Sequence, residues 1–335
     1  MEEALQVPII DLSSIDLTDS LKKACIENGF FYLINHEVEE DLIRRVFDGS
    51  RGFFDLSVGE KMKVLRKNHR GYTPFYDEKL DLVDNPKEIL PCWRFTMEEY
   101  YRVILNLGKR VLSLIALALN ENEDFFEKVG AFNPPGALLR PMHYPVAGEI
   151  NYCDQYMHGC GAHTDYGMIT ILITDGVPGL QVCRDKLQKP QIWEDVPQLN
   201  GGFIVIVGDM MERWTNCLFR SIYHRVTKPE QERYSVAMFF DPSPDCVVEC
   251  LKSCCSESSP PRFPPVRVAD YLKENYNITY GYQFVCSLLS ELILHSINNI
   301  IEAFSSQFSL APLMETIKLN IFVVSSGARN LVMKT

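Results

Sequence analysis

A histidine and an aspartate two positions apart are the residues of this sequence whose types and spacing most directly suggest chemistry. They are His163 and Asp165, in the segment GAHTDYGMIT. In an extended chain, residues two apart point to the same side, so both side chains can reach one metal ion. His224, in the segment SIYHRV, supplies a candidate third ligand. Two imidazoles and one carboxylate form a facial triad, which suits iron(II) and leaves coordination positions open for a co-substrate and oxygen.

A second pair of polar residues makes this pattern more specific, because a lone HxD occurs by chance in many chains. Arg233 and Ser235 again lie two apart, at the start of a strand predicted over Tyr234–Phe240. A guanidinium binds a carboxylate through two parallel hydrogen bonds, and a neighbouring hydroxyl adds a third. The pair therefore predicts a site for the distal carboxylate of a dicarboxylic co-substrate. The order HxD, His, RxS is far more specific than any of its parts.

The N-terminal third of the chain has the pattern of a helical region. A short strand over Val7–Leu12 is followed by a helix that starts at Thr18 or Asp19 and stops at Gly29. A buried strand over Phe30–Ile34 comes next. The further predicted helices are Glu39–Phe54, one capped by Ser57 with Glu60, and the longest, Thr96–Leu119, with a second capping box at Thr96 and Glu99.

After Pro145 the pattern changes to short apolar runs separated by Gly, Pro and Asp. The predicted strands are Ile169–Thr174, Phe203–Val207 and Tyr234–Phe240, and a Pro-, Ser- and Cys-rich loop follows over Pro242–Pro265. Helices followed by short strands are typical of an α+β fold in which a helical N-terminal region packs on a β-sandwich or jelly roll.

The net charge excludes some partners. The formal charge is −11, with no long run of Lys or Arg, which argues against a nucleic-acid surface and favours a small-molecule substrate. The apolar run Phe284–Phe304 is interrupted by Glu291, His295 and two asparagines, so we expect no membrane span. The first ten residues do not form a secretory signal. We therefore predict a cytoplasmic protein that acts as a monomer.

The eleven cysteines favour reduced thiols over disulfides, because they are odd in number and scattered. One cluster comprises Cys246, Cys250, Cys254 and Cys255. Its spacing matches none of the usual zinc-binding pairs, so free cysteines on a loop are the favoured interpretation over a zinc site.

The sequence resembles the plant-type 2-oxoglutarate- and iron(II)-dependent dioxygenases, relatives of the flavonoid and gibberellin oxidases. The resemblance covers most of the chain from Val7 to Tyr280. The matching segments are VPIIDLS, GFFYLINH, GAHTDYGMITILITD, VPGLQV, GGFIVIVGDMMERWTN and RYSVAMFFDP. It implies a double-stranded β-helix, or jelly-roll, core.

The resemblance also implies roles for individual residues. His163, Asp165 and His224 would bind iron(II), and Arg233 with Ser235 would hold the distal carboxylate of 2-oxoglutarate. Tyr144, in LLRPMHYP, matches a family tyrosine that contacts the co-substrate, whereas His143 beside it is expected to face the other way.

The activity implied is oxidative decarboxylation of 2-oxoglutarate by dioxygen, with ascorbate as an accessory reductant. It would be coupled to hydroxylation, desaturation or demethylation of a small organic metabolite. Phe75, Tyr76, Trp93 and Phe240 are aromatic candidates for the substrate pocket, although aromatic residues are more often core. The substrate itself is not specified by these motifs.

Two departures from the family pattern limit these implications. Residues that usually follow the GY segment, here Gly71 and Tyr72, are missing, and the 55 residues after Tyr280 match nothing in the pattern. The predicted domains are therefore a helical region at 1–120, a jelly-roll domain at 121–280 and an atypical tail at 281–335. An alternative transcript or an imperfect gene model would explain both departures.

Two other functions compete with the oxygenase. One is a catalytically impaired variant that acts as a binding or regulatory protein, and succinate release separates it from the enzyme. The other is a zinc hydrolase built on the same three ligands. This last hypothesis leaves Arg233 and Ser235 without a role, and it predicts that zinc supports activity.

Overall fold

The computed structural model describes residues 5–64, 72, 91–146 and 158–276. The chain forms two compact units, of which the first comprises Met1–Val64, Asn85–Ile150 and Met157–Leu272. The second unit comprises Leu65–Asp84, Asn151–Tyr156 and Lys273–Thr335 and lies almost wholly outside the described residues. The predicted aromatic pocket residues Phe75 and Tyr76, the run 284–304 and the tail at 281–335 also fall outside them. The division at residues 120 and 280 stays a prediction.

The described elements form a helical layer, two main sheets and one small two-stranded sheet. The helices are α1 Leu17–Glu27, α2 Glu40–Phe54, α3 Val58–Met62, α4 Pro91–Ala118, α5 Phe125–Lys128 and α6 Asp209–Trp214, with a last helical run over 268–276. The strands are β1 Ile9–Asp11, β2 Phe30–Ile34, β3 Gly136–Tyr144, β4 His158–His163, β5 Ile169–Thr174, β6 Leu180–Cys183, β7 Glu194–Asp195, β8 Phe203–Val207, β9 Tyr223–Thr227, β10 Arg233–Asp241, β11 Val247–Val248 and β12 Val266–Arg267.

The larger sheet has six strands in the order β1-β2-β8-β5-β10-β3. Its central strands are antiparallel and almost continuously apolar, such as FIVIV in β8, where every residue is buried. Strands covered on both faces have this composition, because neither face is left to water. The smaller sheet has the order β4-β9-β6-β7 and covers one face of the larger sheet.

Two apolar clusters show how the layers pack. The inner cluster lies between the sheets and joins residues of both, including Leu172, Ala237, Val182 and Val226. The outer cluster joins the opposite face of the large sheet to α1, α2 and α4. The architecture is α+β, with a jelly-roll core and a helical N-terminal region, as the resemblance implied.

Most predicted elements are present, with shifted ends. The helix predicted from Thr18 or Asp19 begins at Leu17, so Asp19 lies in its first turn, where a carboxylate favours the helix dipole. Half of the capping box predicted at Ser57 and Glu60 is present: the Ser57 hydroxyl accepts from the Glu60 amide at 3.3 Å, whereas the Glu60 carboxylate pairs with Lys63.

The predicted capping box at Thr96 and Glu99 is wrong. Helix α4 begins at Pro91, so Thr96 lies inside it. A capping side chain bonds the free amides of the first helical turn, and Thr96 lies beyond that turn.

The loop predicted over Pro242–Pro265 is mostly irregular and includes β11 and a short 3₁₀ turn at Lys252–Cys254. The four cysteines of the predicted cluster are free thiols there. Among the described residues, no helix combines the length and the apolar character needed to cross a membrane.

Candidate metal centre

The pairing of β4 with β9 brings the three predicted ligands together. His163 stands directly opposite His224 in this pairing, and the two ring centroids are 4.2 Å apart. The Nε2 atoms of both rings lie 3.7 Å from Oδ1 of Asp165. One ligand atom from each residue lies within 4.8 Å of the other two, so a single metal ion can contact all three.

The backbone orients the two imidazoles. Nδ1 of His163 lies 2.8 Å from the Gly161 carbonyl oxygen, and Nδ1 of His224 lies 3.4 Å from that of Ile222. Donation from Nδ1 to a carbonyl places the proton there and leaves the Nε2 lone pair facing the centre. Burial lowers the pKa of His224 to about 4, so its imidazole is neutral at physiological pH, as a metal ligand must be.

A hydrogen bond orients the carboxylate of Asp165. The Thr170 hydroxyl donates to Oδ2 of Asp165 at 2.6 Å, which leaves Oδ1 facing the histidines. Asp165 and His224 are 5% and 9% exposed, whereas His163 is 41% exposed. The centre therefore opens to solvent on the side of β4.

A second, half-buried carboxylate, that of Asp209, connects the segments that carry the ligands. Its Oδ2 accepts from the Thr164 hydroxyl at 3.1 Å, between the first two ligands, and its Oδ1 accepts from Ser221 at 2.6 Å, three residues before His224. Tyr271, in the last helical run, also donates to Oδ2, at 3.1 Å. The Asp209 amide donates to the Asp165 carbonyl at 2.8 Å. Sequence reasoning missed this residue, because no spacing rule connects it with the ligands.

Arg233 and Ser235 lie on the inner face of the large sheet and are 0% and 1% exposed. Nε of Arg233 donates to the Val177 carbonyl at 3.2 Å, but Nη1 and Nη2 have no hydrogen-bond partner among the described residues. The Ser235 hydroxyl is also buried and lies near that of Tyr144, in a geometry that makes no hydrogen bond. An unpaired buried charge costs on the order of several kcal/mol, so this donor set fits an anionic ligand.

Tyr144 lies beside Arg233 on the neighbouring strand. It stands opposite Arg233 in the β3–β10 pairing, and the guanidinium carbon lies 4.9 Å from its ring centroid. Its hydroxyl is 3.3 Å from the Met142 sulfur. Burial raises the pKa of Tyr144, so the hydroxyl stays protonated and can donate to an acceptor.

Other residues considered in the sequence lie elsewhere. His143 is on the outer face, where its ring stacks on Tyr234 at 4.6 Å. Phe240 also faces outward, packed on Gly108 of α4, because odd and even residues of β10 point to opposite sides. Trp93 stacks on Phe53 at 4.7 Å, between α2 and α4. Neither of these two aromatic residues lines the metal centre.

Comparisons with known proteins agree with this geometry. Residues 141–242 match the model of the 2OG-Fe(II) oxygenase superfamily, and residues 7–101 match that of the N-terminal region of non-haem dioxygenases in morphine synthesis. Azadirone synthase LFS of Melia azedarach is 37% identical over 307 positions, which cover 80% of this chain and 91% of that protein. Because 307 positions exceed 80% of 335 residues, the alignment has gaps where this chain is shorter.

A fungal protein and two solved structures are also similar. The 2-oxoglutarate-Fe(II) type oxidoreductase hxnY of Emericella nidulans is 33% identical, over 82% of this chain and 90% of that protein. The full-length Neurospora crassa protein crystallised with alpha-KG and 5-formyluracil has a TM-score of 0.71 at 25% identity, covering 82% of this chain and 97% of that one. JOX2 in complex with 2OG, Fe and JA has a TM-score of 0.65 at 26% identity, covering 80% and 84%.

Proposed function

This chain belongs to the 2OG-Fe(II) oxygenase superfamily, and on that premise we propose that it hydroxylates, desaturates or demethylates a small organic metabolite. The enzyme class and its cofactors, iron(II), 2-oxoglutarate and dioxygen, follow from the family. The reaction outcome and the residue roles are the proposal.

The observation that carries this proposal is the convergence of three ligand atoms within 4.8 Å. In the proposal His163, Asp165 and His224 bind the iron on one side and leave the other side open. When bound, the iron would activate dioxygen, the oxidant, with two of the four electrons supplied by decarboxylation of 2-oxoglutarate to succinate and carbon dioxide and two by the substrate.

The remaining residues bind and orient the co-substrate. Arg233 and Ser235 would pair with its distal carboxylate, and Tyr144 would donate a further hydrogen bond. Their burial strengthens these bonds, because the charge is shielded from water. The apolar inner cluster around them keeps bulk water from the proposed carboxylate site.

The relatives support a small organic substrate. Their names describe the formation of azadirone and kihadalactone A and the hydroxylation of homoarginine by those proteins. The names specify three different compounds, so the relatives support the class of substrate rather than one compound.

Succinate formation tests the proposal. Purified protein with iron(II) and 2-oxoglutarate should release succinate in air, faster with a substrate present, and zinc should inhibit. His224→Ala should lower the rate by more than the roughly 10–100-fold typical of changes around a metal ligand. The matched control is His143→Gln, because His143 faces away from the centre.

Two results would contradict the proposal. Equal loss in both variants would show that the metal is not held by His224. Binding of iron and 2-oxoglutarate without any succinate would leave a binding protein in place of an enzyme.

A further inference from the structure

The sandwich opens between two edge strands. The large sheet ends at β3 and the small sheet ends at β4, so neither strand has a further neighbour on its outer side among the described residues. The more exposed ligand, His163, lies at the end of β4. A substrate would therefore reach the metal centre between β3 and β4.

Arg140 is the cation of β3 that lies at this opening. It has the same parity as Met142 and Tyr144, which pack on the inner cluster, whereas Leu139 packs on the outer one. Arg140 stands opposite Ala237 on β10, whose small side chain leaves space on the inner face. Unlike its neighbours on β3, Arg140 is exposed.

The Arg140 guanidinium has no ion-pair or hydrogen-bond partner within the described part of the chain. Its charge nevertheless lies within electrostatic range of Tyr144 on β3 and Cys160 on β4. Other exposed arginines do have carboxylate partners: Arg44, Arg94, Arg184 and Arg267. Arg140 is thus an uncompensated cation at the mouth of the site.

We propose that Arg140 binds a carboxylate of the primary substrate, which makes small organic acids the substrate class. This inference rests on the proposed function. Arg233 lies deeper on the same face and is fully buried, so the two arginines would bind different molecules. The planar guanidinium binds a carboxylate through two hydrogen bonds, and no covalent step is involved.

Matched pairs of ligands test the proposal. The probes are phenylacetate, 1-naphthylacetate, cyclohexaneacetate and nicotinate, each with its methyl ester. Binding is measured by ligand-observed NMR to the anaerobic protein loaded with iron(II) and 2-oxoglutarate. We expect at least one acid to bind about tenfold more tightly than its ester, a difference of about 1.4 kcal/mol.

Three variants identify the residue responsible. Arg140→Ala should remove the preference for the acid, and Arg140→Lys should keep part of it, because the charge remains. Arg102→Ala is the control, since Arg102 is an exposed arginine of α4 in the helical layer. This control should keep the full preference.

Several results would contradict the role proposed for Arg140. The inference is overturned if no acid binds more tightly than its ester, including the case in which none binds. It is also overturned if Arg140→Ala weakens the binding of acids and esters equally, or if it weakens only the binding of 2-oxoglutarate. Binding of iron(II) and 2-oxoglutarate to the unchanged protein is measured first, so failure of the proposed function is recognised separately.

Discussion

Among the residues of the site, Arg233 is the one whose role its surroundings constrain most. Its two terminal nitrogens are buried without a partner among the described residues, and only Nε is bound. Such a group is tolerated because a bound anion can pair with it. At the residue scale, the structure therefore separates the groups that would hold the metal from the group that would hold the co-substrate.

Arg233→Lys tests this separation. Lysine keeps the positive charge but loses the planar fork, so we expect 2-oxoglutarate to bind roughly tenfold more weakly while iron affinity is retained. Titration calorimetry with manganese(II), then with 2-oxoglutarate, measures the two affinities separately. An equal loss of both would show that the arginine serves only the fold.

Asp209 allows a prediction about ligand positioning. Asp209→Asn keeps the shape but replaces one acceptor oxygen by a donor, which disturbs the bonds from Ser221 or from Thr164 and Tyr271. We expect metal affinity to fall by about 10–100-fold, in the range known for residues that orient ligands. The unfolding midpoint without metal controls for misfolding. Unchanged metal affinity would contradict this role.

At the scale of elements, helix α4 packs on the outer face of β10 through a glycine. A Cβ built on Gly108 would lie 2.0 Å from the end of the Phe240 ring, and that ring is 1% exposed. This close approach sets how near the long helix can lie to the strand that carries Arg233. The helical layer thus packs on the face of the large sheet opposite the site.

Gly108→Ala should therefore destabilise the protein by about 1–3 kcal/mol, the usual cost of overpacking, despite the better helix propensity of alanine. The matched control is Gly52→Ala in α2, where nothing lies within 4 Å of the added carbon. There we expect a gain of about 0.5–1 kcal/mol. Urea denaturation of both variants gives the two free energies of unfolding, and a gain at Gly108 would contradict the packing argument.

At the scale of the whole molecule, both the proposed metal ligands and the proposed co-substrate residues belong to the first unit. A ligand that binds only the folded state stabilises it by mass action. Manganese(II) and 2-oxoglutarate, each present at about 100 times its dissociation constant, should each raise the free energy of unfolding by about 2.7 kcal/mol.

Differential scanning calorimetry measures this effect as a rise of several degrees in the unfolding midpoint, reversed by EDTA. His224→Ala should show a much smaller rise, and His143→Gln a full one. If His224→Ala responded as fully as the unchanged protein, the metal would be bound elsewhere.

The sequence determined much of the fold because the relevant patterns are local. Helix α2 and strands β2, β5 and β8 were predicted within a residue or two, since periodicity and turn residues act over short distances. Strands β6, β7 and β9 were not predicted as such. They are short, and the signal of a half-buried strand depends on which neighbour covers it.

For the site, the sequence alone supplied the residue types and the paired spacings of His163 with Asp165 and of Arg233 with Ser235. Only the tertiary structure decided that His224 meets the first pair, because the β4–β9 register has no local signal. It alone also revealed Asp209 behind the ligands and Arg140 at the mouth. Contacts between residues distant in the chain depend on how strands pair and layers stack, and no spacing rule encodes them.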